Sequence, residues 1–262
     1  CTPARVSLLT GKYPIRYDVP ADPYFNSNNR KYFSFGNDAM TFGNAFKKWH
    51  YETTYIGKWH ATKRGGWPWK QGFDTTIGHA FRGNIKTHFA NSSDNNMLYN
   101  YYRETGTVIF DEGTNGDYLP KELTRQAVNT IRKKRDNPFL LVLSHYAVHT
   151  PIEAPYDEVK PYKQKLKEFL TEYEISSGDN AFSKLYRNNP TYAAMVTAVD
   201  RSVALIMNEL EDRGLMNDTV VILTSDNGGK STLSPKTVKR MLKVHKDKSI
   251  YTIGKADLNV AA

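Results

Sequence analysis

The chain has 262 residues, 39% hydrophobic and 24% charged, enough to bury a sizeable core, most simply as one large domain. A single cysteine excludes an internal disulfide framework and a thiolate zinc cluster, and no run of roughly 18 apolar residues is present to span a membrane as a helix. The net charge of +9 is uneven: from Lys230 onward eight basic residues face two acidic ones, the mark of a solvated tail more than of a nucleic-acid surface, so no nucleic-acid partner is expected. The first residue is not Met and no charged-then-apolar leader follows it, so processing or truncation is expected to have removed the start.

Cys1 to Lys12 predicts a helix. Pro3 suits a first turn, where its missing N–H costs nothing, and Gly11 suits the position just past the end. Cys1 then sits at the helix N-terminus with Arg5 one turn on, a place whose free N–H groups and dipole favour an anion. An ordinary helix start can read the same way.

Tyr17 to Asn37 reads as a long loop, and Met40 to His50 as a helix with Phe42, Ala45, Phe46 and Trp49 on its buried face. Thr53 to Ile56 is a short strand ending in Gly57-Lys58-Trp59-His60. Residues 61 to 118 read as loops with short strands. Tyr118 to Arg135 carries an apolar stripe of Leu119, Leu123, Ala127, Val128 and Ile131, and its basic end complements the helix dipole. Pro138 to Val148 holds a continuous apolar run typical of a buried parallel strand. Ala154 to Asn189 is amphipathic and then loose. Pro190 to Arg213 predicts a long helix with Met195, Val199, Ser202, Val203, Ile206 and Leu210 inward and Gly214 as its cap. Asp218 to Thr224 predicts a second buried strand, ending in Ser225-Asp226-Asn227-Gly228-Gly229.

Three predicted strands therefore end in polar groups, and open parallel sheets bind ligands at that edge. Lys58 and His60, two apart on an extended chain, can aim at one anion while Trp59 turns into packing. His149 follows its strand in His-Thr-Pro, where an imidazole can move a proton; His145, four residues earlier, competes for that role. Asp226 and Asn227 offer hard oxygen ligands for Ca²⁺ or Mg²⁺, though Ser-Asp-Asn-Gly is also ordinary turn chemistry. Trp67 and Trp69 fit either a platform for sugar rings or core packing.

Cys1-Thr2-Pro3-Ala4-Arg5 with Leu8-Leu9-Thr10-Gly11, then Gly57-Lys58-Trp59-His60, Gly72-Phe73-Asp74, Leu143 to Pro151 and Ser225 to Gly229, together resemble the motifs of the formylglycine-dependent sulfatases, in family order. The resemblance covers about residues 1 to 237, a partial catalytic domain, and leaves 238 to 262 as a basic tail without a match. It implies an α/β fold of the alkaline-phosphatase superfamily, a mostly parallel central sheet with helices on both faces, incomplete in this chain. It also implies that a maturation enzyme oxidises Cys1 to formylglycine, whose hydrate is the nucleophile. Arg5 would stabilise that group, Lys58 would bind sulfate oxygens, His60 would help deprotonate the second hydroxyl and His149 would assist the leaving alcohol. Asp226 and Asn227, with the converted Cys1, would hold Ca²⁺, with Mg²⁺ possible.

The implied function is sulfuric ester hydrolysis of sulfated carbohydrates or aryl sulfates, in the periplasm or outside the cell. The alternatives are a phosphonate or phosphodiester hydrolase of the same superfamily and a non-catalytic remnant. Two family elements are missing: an upstream Asp-Asp strand and a downstream catalytic Lys in a Gly-rich loop, for which Lys248 is not assigned. The expectation is a fragment with weak metal affinity and little activity on its own. Asn91-Ser92-Ser93 and Asn217-Asp218-Thr219 match the glycosylation sequon.

Overall fold

Alternate residues of one central strand define two cores. The computed structural model describes residues 1–17, 19, 39–62, 66–78, 83, 85–90, 116–177 and 189–228. The expected loop beyond Tyr17 (apart from Val19), the Asn91 sequon, Lys248 and the tail 238 to 262 lie outside the described residues.

β1 (Glu52–Gly57) lies between β2 (Thr75–Ile77) and β3 (Phe139–Ser144) in a three-stranded parallel sheet. Thr54 pairs with Thr75 on one side and Leu141 on the other, so the three strands run in register toward a common carboxyl edge. On one face Ile56, Ile77, Leu141 and Leu143 pack against Leu119, Leu123 and Ala127 of α3 (Leu119–Arg132). On the other, Tyr55, Leu140 and Val142 pack with Val6 and Leu9 of α1 (Thr2–Thr10), Phe42 of α2 (Phe42–Lys48), Trp59 and Phe73. Period-two alternation along β1 and β3 thus sends side chains into helices on both faces, the α/β arrangement expected.

The chain divides into two compact units. One is Cys1–Ala147 with Ala198–Asn227 and contains the sheet; the other is Val148–Thr197 with Gly228–Ala262. α4 (Tyr156–Ser177) lies in the second, where the Tyr162 and Thr197 hydroxyls hydrogen-bond each other. α5 (Pro190–Asp212) runs through the division as one helix, and Gly214 follows it at φ 66°. No helix among the described residues is long and apolar enough to cross a membrane.

Three expectations need correction. Of the Phe42, Ala45, Phe46, Trp49 stripe expected for α2, Phe42 packs on the core but Phe46 and Trp49 are exposed, and Gly43 is buried. A Cβ on Gly43 would meet the Gln71 carbonyl oxygen at 2.6 Å, so backbone proximity together with Phe42 on Phe73 seats this helix. The basic end of α3 does more than complement the helix dipole: Arg132 pairs with Glu209 at 2.8 Å, and Arg135, its side chain largely buried, lies 4.6 Å over the Phe139 ring.

The third concerns Thr219 to Thr224, which forms no strand. Val220, Ile222 and Leu223 are 86%, 81% and 76% exposed. An apolar run becomes a strand only when another strand takes its N–H and C=O groups, and among the described residues none does. Among the described residues β3 is an edge strand, and it is only half-buried.

Candidate active site

Local chemistry places Cys1. Pro3 occupies the first turn of α1, and Gly11 closes it in the left-handed conformation at φ 66°, its N–H donating to the Ser7 carbonyl. Cys1 is the N-cap; its carbonyl accepts the Arg5 N–H at 2.9 Å, and its side chain makes no capping bond of its own. The thiol stands at the positive end of a nine-residue helix.

Lys58 reaches it from the carboxyl end of β1. Gly57 precedes it at φ 93°, and a Cβ there would sit 2.0 Å from the Ser144 carbonyl oxygen, so both the torsion and the close approach demand glycine. That turn lets the Lys58 N–H donate to the Ser144 carbonyl at 2.7 Å, and it brings the ammonium Nζ to 3.3 Å from Cys1 Sγ. Lys58 is buried, as are Arg5 and His60.

Asp226 completes the cluster. Its Oδ2 accepts from Arg5 Nε at 3.0 Å, lies 2.9 Å from Arg5 Nη2 and is 3.5 Å from Lys58 Nζ. Burial pushes its carboxyl upward, but Arg5 and Lys58 outweigh that and hold it below the usual carboxylate range, so it is ionised at neutral pH. The Lys58 ammonium and a helix N-terminus therefore stand at the sulfur, and Asp226 links Lys58 to Arg5 behind it.

The structure brings Cys1, Arg5, Lys58 and Asp226 into contact across three chain segments. His60 is not on an extended chain: β1 has ended and its φ is 43°, so the same-face argument for Lys58 and His60 fails. Its imidazole is buried, and a Cβ on Gly83 would come within 2.2 Å of its Nδ1. Trp59 turns into the core between Tyr55 and Phe73, as expected. His149 belongs to the second compact unit, with Nδ1 2.9 Å from the Thr150 carbonyl oxygen. The competing His145 is half-buried and engaged elsewhere: Nε2 lies 2.9 Å from Ser202 Oγ, and desolvation of the ring, aided by the neighbouring His88, lowers its pKa to about 4. β3 stops at Ser144, so His145 and His149 share no strand face.

Asp74 of Gly72-Phe73-Asp74 accepts the Thr53 hydroxyl at 2.8 Å and pairs with Lys47, which makes it a structural tie. Trp67 is buried, and Trp69 stacks on it with centroids 5.5 Å apart, which favours packing for Trp67.

Two residues were missed. Tyr55 Oη donates to the Lys58 carbonyl at 2.6 Å, and Ser144 Oγ accepts from Arg5 Nη1 at 2.9 Å. For Ser144 the available signal was a hydroxyl at the carboxyl end of an otherwise apolar strand.

A calcium ion takes six to eight oxygen ligands. Asp226 and Asn227 are hard donors, but Asp226 Oδ2 already serves Arg5 and Lys58, and the Asn227 main-chain carbonyl accepts from Ser225 Oγ at 2.7 Å. Among the described residues no three His, Cys, Asp or Glu side chains converge to hold a metal ion, so these residues alone do not make a calcium cage.

Sequence and structure comparisons agree on kinship. The sequence model of the Sulfatase family matches residues 1–249. Arylsulfatase J of Mus musculus is 28% identical over 243 residues, covering 88% of this chain and 36% of that protein. The Ulvan-active sulfatase of Formosa agariphila is 28% identical over 240 residues, 87% of this chain and 41% of its own. The Endo-4-O-sulfatase of Bacteroides thetaiotaomicron is 28% identical over 247 residues, 87% and 47%. The crystal structure of Ps i-CgsB superposes with a TM-score of 0.59 at 25% identity, covering 88% of this chain and 48% of that one. The chain thus spans less than half the length of these relatives. With the family's sequence model running over nearly its whole length and the Cys1, Lys58 and Asp226 motifs meeting in one cluster, the chain belongs to the sulfatase family.

Proposed function

We propose that this chain carries the nucleophile-bearing part of a sulfuric ester hydrolase acting on sulfated carbohydrates or aryl sulfates. The observation that supports it is the Lys58 ammonium 3.3 Å from Cys1 Sγ at a helix N-terminus. The names of the ulvan-active and endo-4-O relatives favour a sulfated polysaccharide. Residues 1 to 237 are read as the catalytic portion and 238 to 262 as a tail. The working place is the periplasm or the cell exterior.

Formylglycine, formed from Cys1 by a maturation enzyme, supplies a hydrated aldehyde, an oxygen nucleophile for the ester sulfur. Lys58 places its ammonium beside that position, where it meets the charge that grows on the sulfate oxygens. The helix N-terminus adds its dipole and N–H groups. Arg5 ties Asp226 to the ends of β1 and β3 and so fixes the wall facing the anion. By their motifs, His60 is assigned to help deprotonate the second hydroxyl of the hydrate and His149 to assist the departing alcohol. Asp226, Asn227 and the converted Cys1 are assigned to a Ca²⁺ site, with Mg²⁺ the alternative, where the ion would offset the negative charge of the sulfate oxygens.

The test is aryl sulfate hydrolysis by protein produced together with a maturation enzyme. Cys1→Ala removes turnover on this reading and leaves the fold intact by circular dichroism. Turnover surviving in Cys1→Ala would overturn it.

A further inference from the structure

Arg5 is a cross-tie, and its partners reveal what positions Lys58. A guanidinium has five N–H donors in a fixed plane. Nε and Nη2 go to Asp226, while Nη1 donates to the Lys58 carbonyl at 2.7 Å and to Ser144 Oγ at 2.9 Å. Tyr55 Oη stands 3.4 Å from the same Nη1. Four of the five donors are thereby taken by the chain's own atoms.

The Lys58 main chain is held just as fully. Its N–H donates to the Ser144 carbonyl, and its own carbonyl accepts both Tyr55 Oη at 2.6 Å and Arg5 Nη1. Both lone pairs of that oxygen are used. The hydroxyls of Tyr55 and Ser144 therefore meet at the guanidinium that braces Lys58.

We propose that Tyr55 and Ser144 are positioning residues, which hold Arg5 and the Lys58 backbone so that the Lys58 ammonium stays beside Cys1. The proposal rests on the sulfatase reading of the cluster and names the parts that set its geometry. For Tyr55, packing and hydrogen bonding are separable. The ring sits in the core, edge-on to Trp59 at 5.0 Å and Phe73 at 5.1 Å, a place phenylalanine would fill equally well. The hydroxyl is thus the only part of Tyr55 that the Lys58 carbonyl requires. Burial raises the phenol's pKa further, although Arg5 and the Ser144 hydroxyl offset part of that, so the group stays a donor across the working pH range.

The readout is Cys1 itself, in the full chain produced without a maturation enzyme so that the thiol is retained. Alkylation by iodoacetamide follows the thiolate, which a neighbouring ammonium favours. Lys58→Met is the reference and moves the alkylation profile to higher pH. Tyr55→Phe and Ser144→Ala move it in the same direction, slowing alkylation at neutral pH by about threefold or more, while the melting temperature of Tyr55→Phe stays near that of the parent. Ser144→Thr, which keeps the hydroxyl, restores the parent profile. Parent-like profiles in Tyr55→Phe and Ser144→Ala, with Lys58→Met shifted, would overturn the positioning roles and leave the Cys1–Lys58 pairing standing. An unshifted Lys58→Met would overturn that pairing itself, and the positioning roles with it.

Discussion

Lys58 Nζ lies 3.3 Å from Cys1 Sγ, although 57 residues separate the two in sequence. The contact depends on a helix N-cap on one side and, on the other, a glycine turn at the end of β1 that no other residue could make without clashing with Ser144. In the sulfatase reading it puts a buried cation where ester sulfate oxygens must be held. Lys58→Ala should therefore lower aryl sulfate turnover by about 10²- to 10³-fold, the scale of losing one donor to developing oxyanion charge. Steady-state rates in matured protein check this; a loss below about tenfold would contradict it.

Gly57→Ala should be among the most damaging small substitutions. Its Cβ would fall 2.0 Å from the Ser144 carbonyl oxygen at a φ of 93°. A cost of at least about 1 to 3 kcal/mol is expected in urea unfolding, with loss of the Lys58 turn. Tolerance of alanine would mean the turn has another conformation.

The pH dependence of stability should fall in two windows. His145, at about 4, lies below the usual histidine value, so the unfolded chain binds its proton first as pH drops. Its share of stability is complete above about pH 6.5 and is lost as pH falls toward 4, amounting to about 3 kcal/mol. Urea titrations at stepped pH should show this slope in the parent and its absence in His145→Gln.

Asp226 acts in the second window. Its carboxyl is depressed, since Arg5 and Lys58 outweigh the opposing effect of burial. The ion pairs therefore add stability above the unfolded value, about 3.9, and lose it as pH falls through the folded one. Asp226→Asn should cost about 1 to 3 kcal/mol at neutral pH and flatten the acid limb of the same titration. An unchanged acid limb would show that Asp226 is not held as described.

How far sequence alone could reach depended on whether the determinant was local. Pro3, Gly11 and the Arg5 spacing specify the opening helix within one segment, so Cys1 at its N-cap was legible. The short strand β1, the continuous apolar run of β3 and the stripe of α3 were legible for the same reason. What was not legible required knowledge of partners. Gly43 seats α2 through a backbone approach to Gln71 that no apolar stripe announces. His60 was misread because the strand stops at Gly57, and Tyr55 and Ser144 were missed because their roles depend on Arg5, a partner distant in sequence. The run from Val220 to Leu223 has the composition of a buried strand, but pairing is not encoded in composition.

That run yields a contrast. Ile222 is 81% exposed and Ile56 fully buried. Ile222→Asp should change stability by no more than about 0.5 kcal/mol, whereas Ile56→Ala should cost about 2 to 5. Equal losses in urea unfolding would place Ile222 in a core.

The central claim is that Cys1, braced by Lys58, becomes the nucleophile of a sulfuric ester hydrolase. The most direct measurement is aryl sulfate turnover across preparations in which the fraction of Cys1 converted to the aldehyde is varied and read by mass spectrometry. Turnover should rise in proportion to the converted fraction and extrapolate to zero for the free thiol; turnover independent of conversion would contradict the account.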